Sequence, residues 1–140
     1  MFAKFANSLM VVTSLLISLP ASQAQEPGTL KSIISRQIEA FRRNDGVTAF
    51  GFASPQLRTV FKSPERFMEM VRRQYAPVYR PEEFRFGPNF LEKAGRPVQI
   101  VDIVDQQGRA WRAVYTFEQH TDGSWRIAAV QLEKLPGNNV

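Results

Sequence analysis

The chain contains no cysteine. A disulfide framework, a thiolate metal site, a cysteine nucleophile and a lipid-modified cysteine are therefore excluded. It carries one histidine, His120, so clustered imidazole ligands for zinc are excluded as well. There is no G-x-S-x-G elbow and no glycine-rich phosphate loop, which removes the machinery of the hydrolases and nucleotide binders that rely on them. Long runs of like charge are missing too. A nucleic-acid binder would show a stripe of Lys and Arg on one face, so no nucleic-acid partner is expected.

What is present begins with MFAKFANSLMVVTSLLISLPASQAQEP. Lys4 precedes an apolar run from Leu9 to Leu19, Pro20 breaks it, and Ser22 and Ala24 place small residues at −3 and −1 of a cleavage site. This is the layout of a secretory signal peptide over 1–24, and the run is too short to span about 30 Å of hydrocarbon. Cleavage near Ala24 leaves one domain, 25–140, with no integral membrane segment, in the periplasm or secreted. Of the 18 basic side chains only Lys4 is lost, so 17 remain against 13 acidic ones, a mild excess of +4.

In the domain, Leu30, Ile33, Ile34, Ile38 and Phe41 recur at helical spacing, with Arg36, Glu39, Arg42 and Arg43 on the other side. Asn44-Asp45-Gly46 ends this helix, with Gly46 suited to the left-handed cap. A short helix through VTAFGFA follows, and Ser54-Pro55 and Ser63-Pro64 each open another. Phe67, Met70, Val71 and Tyr75 form the buried stripe of the last, and Glu69 pairs locally with Arg72 or Arg73. Ala76-Pro77 ends it. The stretch VYRPEEFRFGPNF then carries Tyr79, Arg80 and three Phe residues, as a lid on the core or as an arginine–tyrosine clamp for an anionic or planar ligand.

The last third is β: RPVQIVDIVD, RAWRAVYTFEQHT and SWRIAAVQLEK, with a weaker strand over 84–91. A type I′ turn at Asp122-Gly123 would place Trp111, Ala113, Tyr115 and Phe117 on one face with Ala128, Val130 and Leu132. Asp105-Gln106-Gln107-Gly108 fits a three-residue hairpin with a Gly bulge. That register sets Asp102 against Arg112, and Arg112 against Glu133, on the outer face. A two-residue turn would instead aim Asp102 at the core, where a carboxylate would protonate, find a partner or serve as a general base. The outer register leaves Ile100, Val114 and Ile127 outside with Trp125 nearby, which motivates a homodimer.

Helices followed by an antiparallel sheet ending in DGSWRIAAVQL resemble the α+β cone superfamily of nuclear transport factor and the SnoaL-like cyclases. More closely, QIEAFRRNDGVTAFGFASPQLRTVFKSPERFMEMVRRQYAPVYRP resembles a bacterial domain-of-unknown-function family of small exported proteins. The resemblance implies an α+β fold, with N-terminal helices packed on a curved antiparallel sheet of about four strands in a cystatin-like cone. It implies no activity.

Three functions compete. One is a non-catalytic module binding a small apolar or anionic ligand, or a periplasmic protein, through the cone and its rim. Its candidate ligand-binding residues are Tyr75, Tyr79, Arg80, Trp111 and Tyr115. Another is a dimeric scaffold whose cavity is filled by its own side chains. The third is an isomerase or dehydratase with Asp102 as base and Tyr115 or Tyr79 as hydrogen-bond donor. His120 lies at a hairpin tip, and no catalytic residue, metal ligand or cofactor is assigned.

Overall fold

A computed structural model describes residues 29–137. The signal-peptide reading of 1–24 lies outside the described residues. In chain order the elements are α1 (Leu30–Arg42), α2 (Gly46–Gly51), α3 (Pro55–Phe61), α4 (Pro64–Gln74), α5 (Ala76–Tyr79), then β1 (Glu83–Leu91), β2 (Pro97–Val104), β3 (Ala110–Gln119) and β4 (Trp125–Lys134). The strands form one antiparallel sheet in the order β1-β2-β3-β4. The helices pack on one face of this curved sheet, an α+β arrangement.

Side-chain caps set the helix starts. Thr29, Asp45, Ser54 and Ser63 each accept a backbone N–H three residues on, which satisfies a donor the first turn leaves open. The end of α1 departs from expectation. Asn44, not Gly46, takes the left-handed conformation (φ 54°), and the Asp45 N–H closes onto the Ala40 carbonyl. Gly46 serves close packing instead, since a Cβ there would stand 2.8 Å from Met68 Cγ. Ala76-Pro77 does not end helical structure either. Tyr75 breaks the helix (φ −129°), and the proline, tolerated in a first turn, opens α5.

The α1 stripe of Ile34, Ile38 and Phe41 is buried against Val101, Ile103, Ala113 and Phe117 of the sheet. Each such side chain contributes roughly 1.5–3 kcal/mol by leaving water. In the β2–β3 hairpin Gly108 sits at φ 76°, and Asp102 faces Arg112, which faces Glu133. The outer register is therefore the observed one.

The β3–β4 hairpin differs from the type I′ expectation. His120 N–H bonds the Ser124 carbonyl, with Gly123 at φ 84°, so three residues make the turn. Phe117 then faces Ile127, and a bulge before the Thr116–Ala129 pair restores the expected register beyond it. Ile127 is consequently buried in the core, and Trp125 packs against that core. Neither belongs to the outer face. A contact distant in sequence holds this shift. The link between α2 and α3 pairs with β4, Ile127 N–H to the Phe52 carbonyl and Ser54 N–H to the Ile127 carbonyl, both at 2.9 Å.

Among the described residues no helix is long and apolar enough to cross a membrane.

Candidate functional site

The helices do not fill the concave side of the sheet. A cavity of about 380 Å³ remains between α1, α3, α4 and the β3–β4 pair. Gln37 and Phe41 enter it from α1, Leu57 and Phe61 from α3, and Phe67, Met70 and Val71 from α4. Tyr115 and residues 127–130 form the sheet wall. The exposed Gln74 and Ala129 mark its mouth. No residue of α3 is fully buried, and this short helix covers the cavity with the half-buried Leu57 and Phe61.

The bulge in β4 shapes the sheet wall, because it turns successive residues, Ile127 and Ala128, toward the cavity. All sixteen lining residues are uncharged. Three bring side-chain polar groups to the interior. Gln37 donates its amide N–H to the Ala49 carbonyl at 3.1 Å, and Tyr75 donates its hydroxyl to the Val130 carbonyl at 3.0 Å. The Tyr115 hydroxyl is buried without a hydrogen-bond partner among the described residues. Desolvation by burial pushes the Tyr115 phenol well above its ordinary 10.0. It therefore stays a neutral O–H donor at any physiological pH.

The five residues expected at the site divide. Tyr75 and Tyr115 line the cavity. Tyr79 and Arg80 do not. The Tyr79 hydroxyl bonds Asn44 Oδ1, while the Arg80 guanidinium donates to the Phe41 carbonyl and, at 3.1 Å, to Asn44 Oδ1. Arg80 also stacks 4.1 Å from the Tyr79 ring centroid. A cation on the last carbonyls of α1 is what the negative end of a helix dipole favours, so this pair ties α5 to the end of α1. Trp111 stands further along β3 and donates its indole N–H to Asp105 at 2.8 Å.

Asp102 lies on the outer face, 2.9 Å from Arg112 Nε and 40% exposed. The inward carboxylate that the acid–base reading required is not there. His120 stands beside the β3–β4 turn, 3.7 Å from Glu118.

Gln37 escaped sequence reasoning. It falls on the same helical stripe as Ile34, Ile38 and Phe41, and a polar side chain on a buried stripe was the available signal. Leu57, Phe61 and Met70 were expected in helices, but their place around a cavity depends on tertiary packing.

A small α+β fold with an uncharged cavity between its helices and its sheet is the class that fold and site define. The chain belongs to the family described as domain of unknown function DUF4864, whose model matches residues 23–140. No curated protein and no solved structure matches it.

Proposed function

We propose that the protein is an exported, non-catalytic module that holds a small apolar molecule in the cone cavity. The observation that carries this reading is the cavity itself: about 380 Å³, walled by uncharged side chains, with a mouth at Gln74 and Ala129. Ligand sites in proteins are concave, mostly apolar and begin near about 300 Å³. The lining favours the apolar branch of the ligand expectation over the anionic one, since it offers no cation. Export rests on the Leu9–Leu19 run and the Ser22–Ala24 cleavage pattern. Membership of the nuclear-transport-factor-like and SnoaL-like superfamily rests on the order of helices before a curved four-stranded sheet.

The test uses N-phenyl-1-naphthylamine, a neutral dye that fluoresces on leaving water. Purified protein is expected to enhance its emission saturably. Leu57→Trp, which adds bulk inside the cavity wall, should weaken that binding at least about tenfold while the far-UV spectrum is unchanged. Equal binding by the variant, or no saturable binding by the unmodified protein, ends the reading.

A homodimeric scaffold is the second reading. It is favoured by Phe90 and Leu91, 51% and 68% exposed at the end of edge strand β1. Light scattering at micromolar concentration decides it, and a monomer mass removes it.

A further inference from the structure

We infer that the cavity prefers uncharged apolar molecules that carry a hydroxyl group, whose O–H donates to the side-chain carbonyl of Gln37. This rests on the cavity being a binding site and goes on to name the chemistry of its occupant.

Gln37 is 4% exposed and lines the cavity from the buried stripe of α1. One of its amide N–H groups donates to the Ala49 carbonyl at 3.1 Å. A carbonyl cannot donate in return, so this contact fixes the orientation of the amide and leaves Oε1 turned away from Ala49. No hydrogen bond among the described residues reaches Oε1, yet the atom is not sealed off as the Tyr115 hydroxyl is. It keeps accessible surface, and in a lining residue that surface belongs to the cavity. The Tyr75 hydroxyl donates its proton to the Val130 carbonyl, so its oxygen can only accept. The interior thus offers mainly lone pairs, with the second Gln37 N–H beside them. The Gln74 amide stands exposed at the mouth, where water serves it. An occupant that displaces water from Oε1 without replacing its hydrogen bond leaves a desolvated acceptor, which costs affinity. A hydroxyl donates to Oε1 and can accept from the N–H of the same amide. A hydrocarbon does neither, and an ether lacks the proton. Charge is disfavoured separately: all sixteen lining residues are uncharged, so an ion would lose hydration without gaining a counter-charge.

Four naphthalenes of similar shape test this: 2-naphthol, its hydrocarbon counterpart 2-methylnaphthalene, the ether 2-methoxynaphthalene and the carboxylate 2-naphthoate. Each competes against N-phenyl-1-naphthylamine at neutral pH on the unmodified protein, Gln37→Met and Gln74→Ala. Methionine keeps the length of the side chain without its carbonyl. In Gln37→Met, 2-naphthol should lose roughly threefold to tenfold in affinity relative to 2-methylnaphthalene, the worth of one hydrogen bond. The ether should lose less than 2-naphthol. Gln74→Ala should leave the naphthol-to-hydrocarbon ratio unchanged. On the unmodified protein the carboxylate should bind at least about tenfold more weakly than 2-naphthol.

An equal change for 2-naphthol and hydrocarbon in Gln37→Met overturns the inference while leaving the cavity reading in place. An ether loss as large as that of 2-naphthol does the same, as does carboxylate binding as tight as naphthol binding. A ratio that falls in Gln74→Ala as far as in Gln37→Met moves the contact to the mouth and overturns the inference too. Failure of the dye and of all four competitors overturns both readings. Gln37→Met also removes the bond to Ala49, so a second readout uses the unmodified protein and needs no variant to fold. In ¹³C-labelled protein the Gln37 side-chain carbonyl resonance should move further downfield with 2-naphthol than with 2-methylnaphthalene. Equal movement with the two overturns the inference.

Discussion

Two buried polar groups on the β2–β3 hairpin, Asp105 at its turn and Tyr115 in the middle of β3, occupy opposite situations. Asp105 is 3% exposed and accepts four hydrogen bonds, from the backbone N–H groups of Gln107 and Arg109, from Arg109 Nε at 2.7 Å and from the Trp111 indole at 2.8 Å. Tyr115 is fully buried and its hydroxyl accepts and donates nothing within the described residues. Burial alone therefore does not mark a functional group. A buried charge whose acceptor sites are filled from its own turn holds the fold together. A buried hydroxyl without a partner instead costs the fold stability.

The largest expected effect lies at Asp105. Burial by itself would raise its pKa, but the Arg109 backbone, the Trp111 indole, the Arg109 side chain and the Gln107 backbone outweigh it and hold the carboxyl at about 2, below its ordinary 3.8. Asp105→Asn sets an amide against several of these donors and should cost about 2–4 kcal/mol in urea unfolding. The pH dependence has a definite sign. A carboxyl whose folded pKa is depressed stabilises fully above its unfolded value, near 3.8, and that contribution fades as pH falls toward 2. Over this window the unmodified protein should lose stability more steeply than Asp105→Asn. Parallel slopes would mean that the four bonds do not favour the ionised form.

Tyr115→Phe should act in the opposite direction. Removing a buried hydroxyl that has no protein partner ought to stabilise the unliganded protein by about 1 kcal/mol, read as a higher urea midpoint with an unchanged slope. A loss instead would show that the hydroxyl is already satisfied in the free protein, and the contrast with Asp105 would collapse.

Much of this comparison was legible in the sequence, and its limits have physical causes. Asp105 with Gly108 three residues on specifies its turn locally, so the register that sends Asp102 outward follows from four residues. The serine-proline pairs at 54–55 and 63–64 likewise declare their caps. Asp122-Gly123 is ambiguous by comparison, since glycine at positive φ suits a two-residue turn and a three-residue turn alike. The observed choice is accompanied by the pairing of Phe52 and Ser54 with Ile127, more than seventy residues away in the chain, which local sequence does not announce. The cavity wall inherits that shift. Tyr115 could be placed on the inner face from strand alternation, but the lack of a partner for its buried hydroxyl depends on how the helices cross the sheet. Tyr79 and Arg80 misled for a related reason. Aromatic and cationic neighbours in a proline-rich stretch look the same whether they face a ligand or the carbonyl end of another helix.

The smallest effect is expected on the outer face. Asp102 and Arg112 are 2.9 Å apart but 40% and 42% exposed, so water screens both and neither is left stranded when the other is removed. Asp102→Ala should move Tm by no more than about 4 °C, and it should leave dye binding in the cavity untouched because the sheet separates the two faces. This variant sharpens the contrast with the buried Asp105, three residues further along the chain. Asp102 lies in β2 and Asp105 just past its end, and both meet an arginine. If Asp102→Ala cost as much as Asp105→Asn, the number of bonds and the degree of burial would not be what separates them, and the outer Asp102–Arg112–Glu133 row would have to be covered by a partner in solution.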